Sequence, residues 1–464
     1  MKLAALTLEQ LPAWLEAATV ADQQALGTKR VAATFKLAAY WNDPVTELHL
    51  AALYEIESGS DGVQLYTLVT DQTEYLQQLL AIDQAMTLGE LSHALQTPVL
   101  DSNSALILQT VDIAKPWGKE IWYTGIEQRG VCKIGDADLY CPLPWAIAAL
   151  PDFLLGPAED TIVLLKILDP LPEPVYGDLY FELHEVKQEV YVVTQVDTAC
   201  WANGTGAIRI GFNQQKRQSY GSDTEFKNAY MEAVNRYRQV RERIDAELDQ
   251  QRAQQGIDAS AVVTAEQTRQ WLSAVPQALR TQEKTLRQTM DEFTGLHPLA
   301  VGDVIVIPQR LPHALQHGVR TIEFQTPVYE RQIVSFAQKV LTQSHWDTAA
   351  AMQITQLDPY VAPEFVAQEI DGCKRSQIVD FDDFSVWRIN LPVAARLQLH
   401  GMTYKLVIVI TGTVQIGDVL CQPEQALLVP GHAFPTAMQN VKSAGSAGSV
   451  VLIAEPKVSK ASRT

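Results

Sequence analysis

The chain has 464 residues and a formal net charge of −18 at pH 7, and 47% of its residues are hydrophobic. This length predicts two or three domains, and the composition is typical of a globular protein. Because the negative field repels phosphate, we expect neither a nucleic acid nor a membrane as partner. Five scattered cysteines without a C-x-x-C pair favour a reducing cytoplasm over a disulfide framework. No apolar run is long enough to span a membrane, and Glu9 and Pro12 interrupt the apolar start, so no signal peptide is expected.

Residues 1–108 are predicted to be a mixed, mostly helical extension without a catalytic motif. Residues 7–17 and 71–85 carry apolar side chains at helical spacing, whereas residues 62–69 have the pattern of a strand. An interaction module and a packing extension are both compatible with this region.

A second domain is predicted over residues 109–352, where short strand patterns begin. The run TIVLLKIL at residues 161–168 indicates a buried strand. Ser222 or Asp223 can cap a helix, and apolar residues then recur at steps of three or four, so residues 222–296 are expected to form a helical insert.

Two short stretches of this domain carry candidate metal ligands. Glu182 and His184 alternate along a predicted strand, so both side chains leave the same face. Lys187 and Glu189 form a second such pair, and a hairpin turning at residues 185–186 would direct all four side chains into one space.

The other stretch, GDVIVIPQRLPH at residues 302–313, places His313 shortly after an apolar strand that a proline ends. Zn²⁺ accepts imidazole nitrogen and carboxylate oxygen, so we predict one divalent metal bound by Glu182, His184, Glu189 and His313. Buried carboxylates without a partner would be costly, which favours a metal. A solvent-exposed strand face is the alternative that the alternation ELHEVKQEV does not exclude.

The order of these motifs resembles type I phosphomannose isomerases of the cupin superfamily. The resemblance rests on five short motifs. They are KPWGKEIW at residues 115–122, ELH at residues 182–184, KQE at residues 187–189, PHA at residues 312–314 and YER at residues 329–331. It covers roughly the middle half of the chain. It implies a mainly β fold with helices, built from double-stranded β-helix (cupin or jelly-roll) barrels in a bicupin-like arrangement.

The resemblance also implies a reaction, the isomerisation of mannose 6-phosphate to fructose 6-phosphate with one Zn²⁺ per chain, other divalent metals being compatible. Arg331 matches the family's catalytic arginine, and either Lys187 or a metal-bound carboxylate is implied to take part in proton transfer. Lys119, Trp117 and Glu189 are implied to lie near the substrate.

One departure from the family pattern affects the charge of the site. Glu182 stands where the family has a neutral amide, so it either replaces that ligand or turns away and leaves three ligands and water. A cupin acting on another sugar or small carbonyl compound is therefore one alternative function. A non-catalytic sugar-binding cupin is another, and the sequence predicts no oligomeric state.

Residues 353–464 are predicted to form a second cupin-like domain without metal. The strand at residues 407–417 is followed by PGH at residues 430–432, which repeats the order of strand, proline and histidine in the first predicted barrel. No carboxylate stands at ligand spacing from His400. Residues 442–449 are expected to be a flexible loop and residues 457–464 a disordered tail.

Overall fold

The computed structural model describes residues 3–22, 27–59, 62–82, 86–157, 161–441 and 448–457, which form a mainly β fold with helices. The chain divides into two compact units. Unit 1 consists of Met1–Val111, Trp122–Leu165 and Phe365–Thr464, and unit 2 of Asp112–Ile121 and Lys166–Glu364. The sequence had assigned residues 122–165 to the predicted catalytic domain, whereas they belong to unit 1. Among the described helices, none combines the length and apolarity that crossing a membrane requires.

The described residues of the N-terminal part of unit 1 form a five-stranded sheet in the order β1-β2-β3-β4-β5, accompanied by three helices. Its elements are β1 (Ala4–Ala5), α1 (Leu11–Asp22), β2 (Gly27–Ala39), β3 (Thr46–Gly59), β4 (Gly62–Thr70), α2 (Thr73–Ile82), α3 (Leu88–Leu95) and β5 (Leu100–Asp101). The helices predicted at residues 7–17 and 71–85 overlap α1 and α2, although residues 83–85 lie outside the described residues. The predicted strand at residues 62–69 is β4.

The expectation that this segment is mostly helical is wrong, because its two longest elements are strands. In β3 the apolar run from Leu50 to Tyr54 is buried without a break, since β3 lies in the middle of the sheet. Such a run shows no alternation, and periodicity alone does not distinguish it from a buried helix.

Between residues 106 and 170 the chain forms short strands and two helices. They are β6 (Leu106–Gln109), β7 (Val111–Lys115), β8 (Gly118–Trp122), β9 (Ile126–Glu127), β10 (Gly130–Val131), β11 (Lys133–Gly135), β12 (Tyr140–Pro142), α4 (Leu143–Ala149), α5 (Pro151–Leu154) and β13 (Leu164–Pro170). Gly118 starts β8 at φ +145°, and a Cβ there would lie 2.2 Å from the Asp169 carbonyl oxygen. The glycine of the KPWG motif therefore permits close approach of the backbone to the end of β13.

Two sheets, which lie largely in unit 2, supply the framework of the predicted metal centre. One is six-stranded in the order β18-β15-β20-β13-β8-β7, and the other is five-stranded in the order β17-β16-β19-β14-β21. The new strands are β14 (Phe181–Leu183), β15 (Glu189–Val196), β16 (Gly206–Phe212), β17 (Thr294–Leu299), β18 (Val304–Ile307), β19 (His313–Leu315), β20 (Val319–Gln325) and β21 (Gln332–Ser335). One hydrophobic cluster contains Tyr191 and Ile305 from the first sheet and Ile208 and Leu315 from the second, so the sheets share a core.

The predicted hairpin at residues 185–186 does not form, because β14 and β15 belong to different sheets. Instead of pairing across a turn, the backbone N–H groups of Glu185 and Val186 donate to the Glu330 carboxylate at 2.9 and 3.1 Å. The Arg310 N–H donates to the His184 carbonyl oxygen at 2.7 Å. The loop thus carries the chain from one sheet to the other.

The stretch predicted as a helical insert contains three helices in its described residues, and Ser222 accepts a hydrogen bond from the Glu225 N–H as the N-cap of the first. The helices of unit 2 are α6 (Gln214–Gln218), α7 (Asp223–Gln254), α8 (Ala265–Ala274), α9 (Gln277–Asp291) and, after the last strand, α10 (Thr348–Ile354). Pro276 separates α8 from α9, since proline lacks the N–H that a continuous helix would need.

The C-terminal part of unit 1 contains the predicted strands. They are β22 (Ala367–Ile370), β23 (Cys373–Asp380), β24 (Phe384–Leu391), β25 (Arg396–Leu399), β26 (Lys405–Thr411), β27 (Val414–Ile416), β28 (Val419–Cys421), β29 (Ala426–Val429), β30 (Thr436–Asn440) and β31 (Ser449–Pro456). A nine-stranded sheet has the order β12-β11-β6-β29-β26-β31-β24-β23-β22, and a four-stranded sheet has the order β25-β30-β27-β28. Because β6 and β11 pair into this larger sheet, residues 122–165 join unit 1. Residues 442–447 of the predicted loop and 458–464 of the predicted tail lie outside the described residues.

Candidate metal centre

Three of the four predicted metal ligands come together in unit 2. His184, Glu189 and His313 each offer one ligand atom, and these atoms lie within 4.8 Å of one another. Each of the three residues is 2% exposed. His184 follows the last residue of β14, Glu189 opens β15 and His313 opens β19, so the cluster joins residues from both sheets.

Backbone carbonyl groups orient both imidazoles. His184 Nδ1 lies 2.8 Å from the Glu330 carbonyl oxygen, and His313 Nδ1 lies 3.3 Å from that of Leu311. When Nδ1–H donates to these oxygens, Nε2 keeps its lone pair. The two Nε2 atoms face Glu189, at 3.5 Å from Oε1 for His184 and 3.2 Å from Oε2 for His313.

Glu189 is the centre of this cluster. Its Oε1 lies 2.5 Å from Lys187 Nζ, and its Oε2 accepts a hydrogen bond from the Tyr191 hydroxyl at 2.9 Å. Burial raises the pKa of Glu189, but the Lys187 ammonium and the adjacent imidazoles outweigh it and lower the pKa well below its usual range. The carboxylate is therefore charged. Burial and the Lys187 charge lower the pKa of His184, which keeps that imidazole neutral.

A divalent cation fits this donor set. The Nε2 atom of His184 is buried and has no hydrogen-bond partner among the described residues. A buried nitrogen lone pair without a partner is costly, and a metal would satisfy it. Neutral imidazole nitrogen with carboxylate oxygen is a ligand set typical of Zn²⁺.

Glu182 lies beside the three-residue cluster without being part of it. It is directly opposite His313 in the pairing of β14 with β19, and its Oε1 is 3.9 Å from His184 Nε2. Its Oε2 atom instead faces Arg331, 3.7 Å from Nη1. This arrangement corresponds to the expected alternative in which Glu182 turns away from the metal.

Arg331 is held beside the cluster by several contacts besides Glu182. Its guanidinium carbon lies 4.9 Å from the centroid of the Tyr180 ring, and Nη2 lies 2.5 Å from the Thr342 hydroxyl. Lys187 is 8% exposed and contacts Glu189 as described above. The structure thus brings both predicted catalytic residues next to the predicted ligands.

Trp117 and Lys119, which were expected to lie near the substrate, do not line the candidate metal centre. Trp117 is 1% exposed and packs in the hydrophobic core with Leu168 and Tyr180. Lys119 forms an ion pair with Asp112 at 2.7 Å, with 41% of its side chain exposed. Because residues alternate along β8, Glu120 and Trp122 face inward and Lys119 faces the other way.

Unit 2 also contains a row of buried charged residues that the sequence did not predict. Lys166 lies 3.7 Å from Glu120 and 3.3 Å from Glu323, and Lys115 lies 3.1 Å from Glu120. Burial raises the pKa of Glu323 well above its usual range, although Lys166 opposes this. The sequence hints at this row only by placing one charged residue within an apolar strand pattern, Lys166 in TIVLLKIL and Glu323 in TIEFQ. Neither pattern indicates which distant residue the charged side chain pairs with.

No family model matches the sequence, and no curated protein matches it either. Solved structures do match. The mannose 6-phosphate isomerase from Bacillus subtilis aligns with a TM-score of 0.50 at 14% identity, covering 76% of this chain and 99% of that one. A zinc-bound mannose 6-phosphate isomerase gives a TM-score of 0.50 at 11% identity, over the same shares of the two chains. At these identities the likeness concerns the fold alone, and the chain is similar in fold to mannose 6-phosphate isomerases.

Proposed function

We propose that this protein is a metal-dependent sugar-phosphate isomerase that interconverts mannose 6-phosphate and fructose 6-phosphate. The observation that carries the proposal is the convergence of both Nε2 atoms on Glu189, with Lys187 and Arg331 beside them. The similar fold of mannose 6-phosphate isomerases supports it. The cupin architecture of the two sheets in unit 2 and a metal-free second cupin at residues 353–464 belong to the same proposal.

His184, Glu189 and His313 would hold one Zn²⁺. When bound, the ion supplies Lewis-acid polarisation of the sugar oxygens at C1 and C2. The fixed imidazoles and the buried carboxylate would hold the ion before substrate arrives, which would avoid reorganisation during the reaction.

Arg331 and Lys187 are the proposed catalytic residues. The isomerisation moves one proton between C2 and C1, and the hydroxyl proton of one carbon passes to the oxygen of the other. Negative charge develops on the sugar oxygens as the carbon proton leaves, and the Arg331 guanidinium would stabilise it. Lys187 Nζ, which lies beside Glu189, would take part in the proton transfer.

The pairing of Glu182 with Arg331 favours a second candidate function. A carboxylate 3.7 Å from the guanidinium offsets part of the positive charge that an anionic substrate would meet. A metal enzyme of the same fold that acts on another sugar or on a small uncharged carbonyl compound would be compatible with this charge.

Metal analysis together with a coupled assay on mannose 6-phosphate and fructose 6-phosphate tests the proposal. We expect about one zinc per chain and conversion in both directions, both lost in His184→Ala. Bound metal without conversion of either sugar would reject the isomerase and favour the second candidate. A metal-free, inactive protein would instead indicate a sugar-binding module without turnover.

A further inference from the structure

A cavity of about 250 Å³ lies in the helical insert, and none of its lining residues belongs to the metal centre. Its walls come from α7, α8 and α9, from residues 174–176 and 337–341, and from Pro116. A single water needs only about 10–15 Å³ of such space, so the cavity has room for a small organic molecule. We call it the insert cavity.

One wall of the insert cavity is apolar. Ile244, Leu248 and Trp271 line it and also belong to the hydrophobic cluster that holds the helices of the insert together. Val263 and Leu272 extend this wall. A ligand body in contact with these side chains would be removed from water, which favours an apolar group.

The charged residues of the lining are mostly cationic, although the whole chain has a net charge of −18. The charged lining residues are Arg241, Arg252, Arg280, Arg287, Lys339 and the single carboxylate Glu283. Arg287 pairs with Glu283 at 3.1 Å, Arg241 with Asp245 at 2.9 Å, and Lys339 with Asp249 at 2.6 Å.

Two of these arginines are the least strongly paired with carboxylates. Arg252 Nη1 donates to the Ala261 and Asp258 carbonyl oxygens at 2.6 and 3.4 Å, and its Nε atom forms only a long ion pair with Asp249, at 3.9 Å. The exposed Arg280 side chain forms no hydrogen bond or ion pair with any residue that the structure describes, although its backbone N–H donates to the Pro276 carbonyl oxygen within the helix. The lining therefore carries positive charge that the insert itself does not neutralise.

A buried donor without a partner lies in the same wall. Trp271 is 4% exposed, and its indole N–H has no hydrogen-bond partner among the described residues. The Arg252 guanidinium carbon lies 5.8 Å from the centroid of the Trp271 ring. An unsatisfied buried donor is rare in folded proteins, and an acceptor supplied by a ligand would satisfy it.

We propose that the insert cavity binds a small organic anion, in which a phosphate or carboxylate group is attached to an apolar body. The anionic group pairs with Arg252 and Arg280 and accepts a hydrogen bond from Trp271 Nε1–H. The apolar body lies against Ile244, Leu248 and Leu272. This site shares no residue with the proposed isomerase centre, so its test does not depend on that activity.

Isothermal titration calorimetry of the full-length protein tests the site with phenyl phosphate, benzoate and inorganic phosphate. We expect phenyl phosphate or benzoate to bind at least tenfold more tightly than inorganic phosphate, because the latter lacks the apolar body. Whichever of the two binds more tightly identifies the anionic group. Arg280→Ala should weaken that binding about tenfold, since it removes one charge-assisted contact from an exposed residue that the fold does not need.

Two controls separate the insert cavity from other anion sites. Arg243→Ala removes an exposed arginine of α7 that does not line the cavity, and it should leave binding unchanged. Arg331→Ala should also leave it unchanged, whereas binding at the metal centre would be weakened by that variant. No heat of binding up to about 10 mM of either probe, or equal affinity in Arg280→Ala and Arg243→Ala, would overturn the proposal.

Discussion

Glu182 and Arg331 face each other across 3.7 Å at the edge of the candidate metal centre, and both side chains are largely buried. The pair joins β14 to the segment before β21, and it brings one negative and one positive charge to the region where substrate would bind. Burial lowers the pKa of Arg331, but Glu182 and the neighbouring tyrosines outweigh it, so the guanidinium remains charged. The charge that an incoming anion meets depends on this pair.

Glu182→Gln should strengthen the binding of anionic substrate without removing the metal. The amide keeps the shape of the side chain but removes the charge opposite Arg331, which we expect to lower the KM for sugar phosphates about three- to tenfold. Steady-state kinetics and metal analysis on the same samples measure both effects. Loss of metal in this variant would show that Glu182 is a ligand after all.

Arg331→Ala should retain the metal and lower kcat by about 10²-fold, because the guanidinium acts on charge that develops in the transition state. Arg236→Ala, which removes an exposed arginine of α7, serves as the control and should leave kcat unchanged. An Arg331→Ala protein with full turnover would exclude Arg331 from catalysis.

His184→Ala and His313→Ala should each lose bound metal, because each removes one of the three clustered ligands. Removal of a ligand should weaken metal binding by more than the 10- to 100-fold typical of an outer-shell partner. Elemental analysis after dialysis measures the loss. The matched control is His400→Ala, an exposed histidine of unit 1, which should keep the metal content of the wild type. Metal retained in both ligand variants would refute the assignment.

Lys166→Met should destabilise the protein by about 1–3 kcal/mol, because it leaves Glu323 buried without its lysine partner and Glu120 with Lys115 alone. Lys119→Met removes a lysine of an exposed ion pair with Asp112, and its cost should stay within about 1 kcal/mol. Denaturant unfolding of both variants against wild type gives the comparison. Equal costs would mean that the buried row contributes no more than a surface pair.

Asp178→Ala should lower stability at neutral pH by about 1–3 kcal/mol, through loss of its hydrogen bonds with His317. Burial raises the pKa of Asp178, but the contact with His317 outweighs it and holds the pKa below its usual value. The contribution is therefore complete above the unfolded pKa of about 3.9 and is lost as the pH falls towards the folded pKa. Unfolding curves at pH 7 and pH 3 should show the difference between wild type and variant shrinking. A constant difference would contradict the charge-based origin.

The sequence by itself indicated the clustered residues of the candidate metal centre and the helical period after Ser222. His184, Glu189 and His313 stand in short motifs whose spacing follows strand geometry, and Ser222 precedes a regular apolar period. Both are local patterns that backbone geometry explains. The hairpin expected to bring His184 and Glu189 together does not form, however, so their convergence is not a local property.

Only the tertiary structure decided which strands pair and which charges share an interior. β14 and β15 are adjacent in sequence but lie in different sheets, and the apolar run of β3 is a central strand instead of a helix. Lys166 and Glu323 are far apart along the chain, yet they lie 3.3 Å apart in the core. Glu182 likewise turned to Arg331, about 150 residues away. Strand pairing and buried ion pairs depend on which distant segments pack against each other. The local spacing of apolar residues in the sequence does not contain that information.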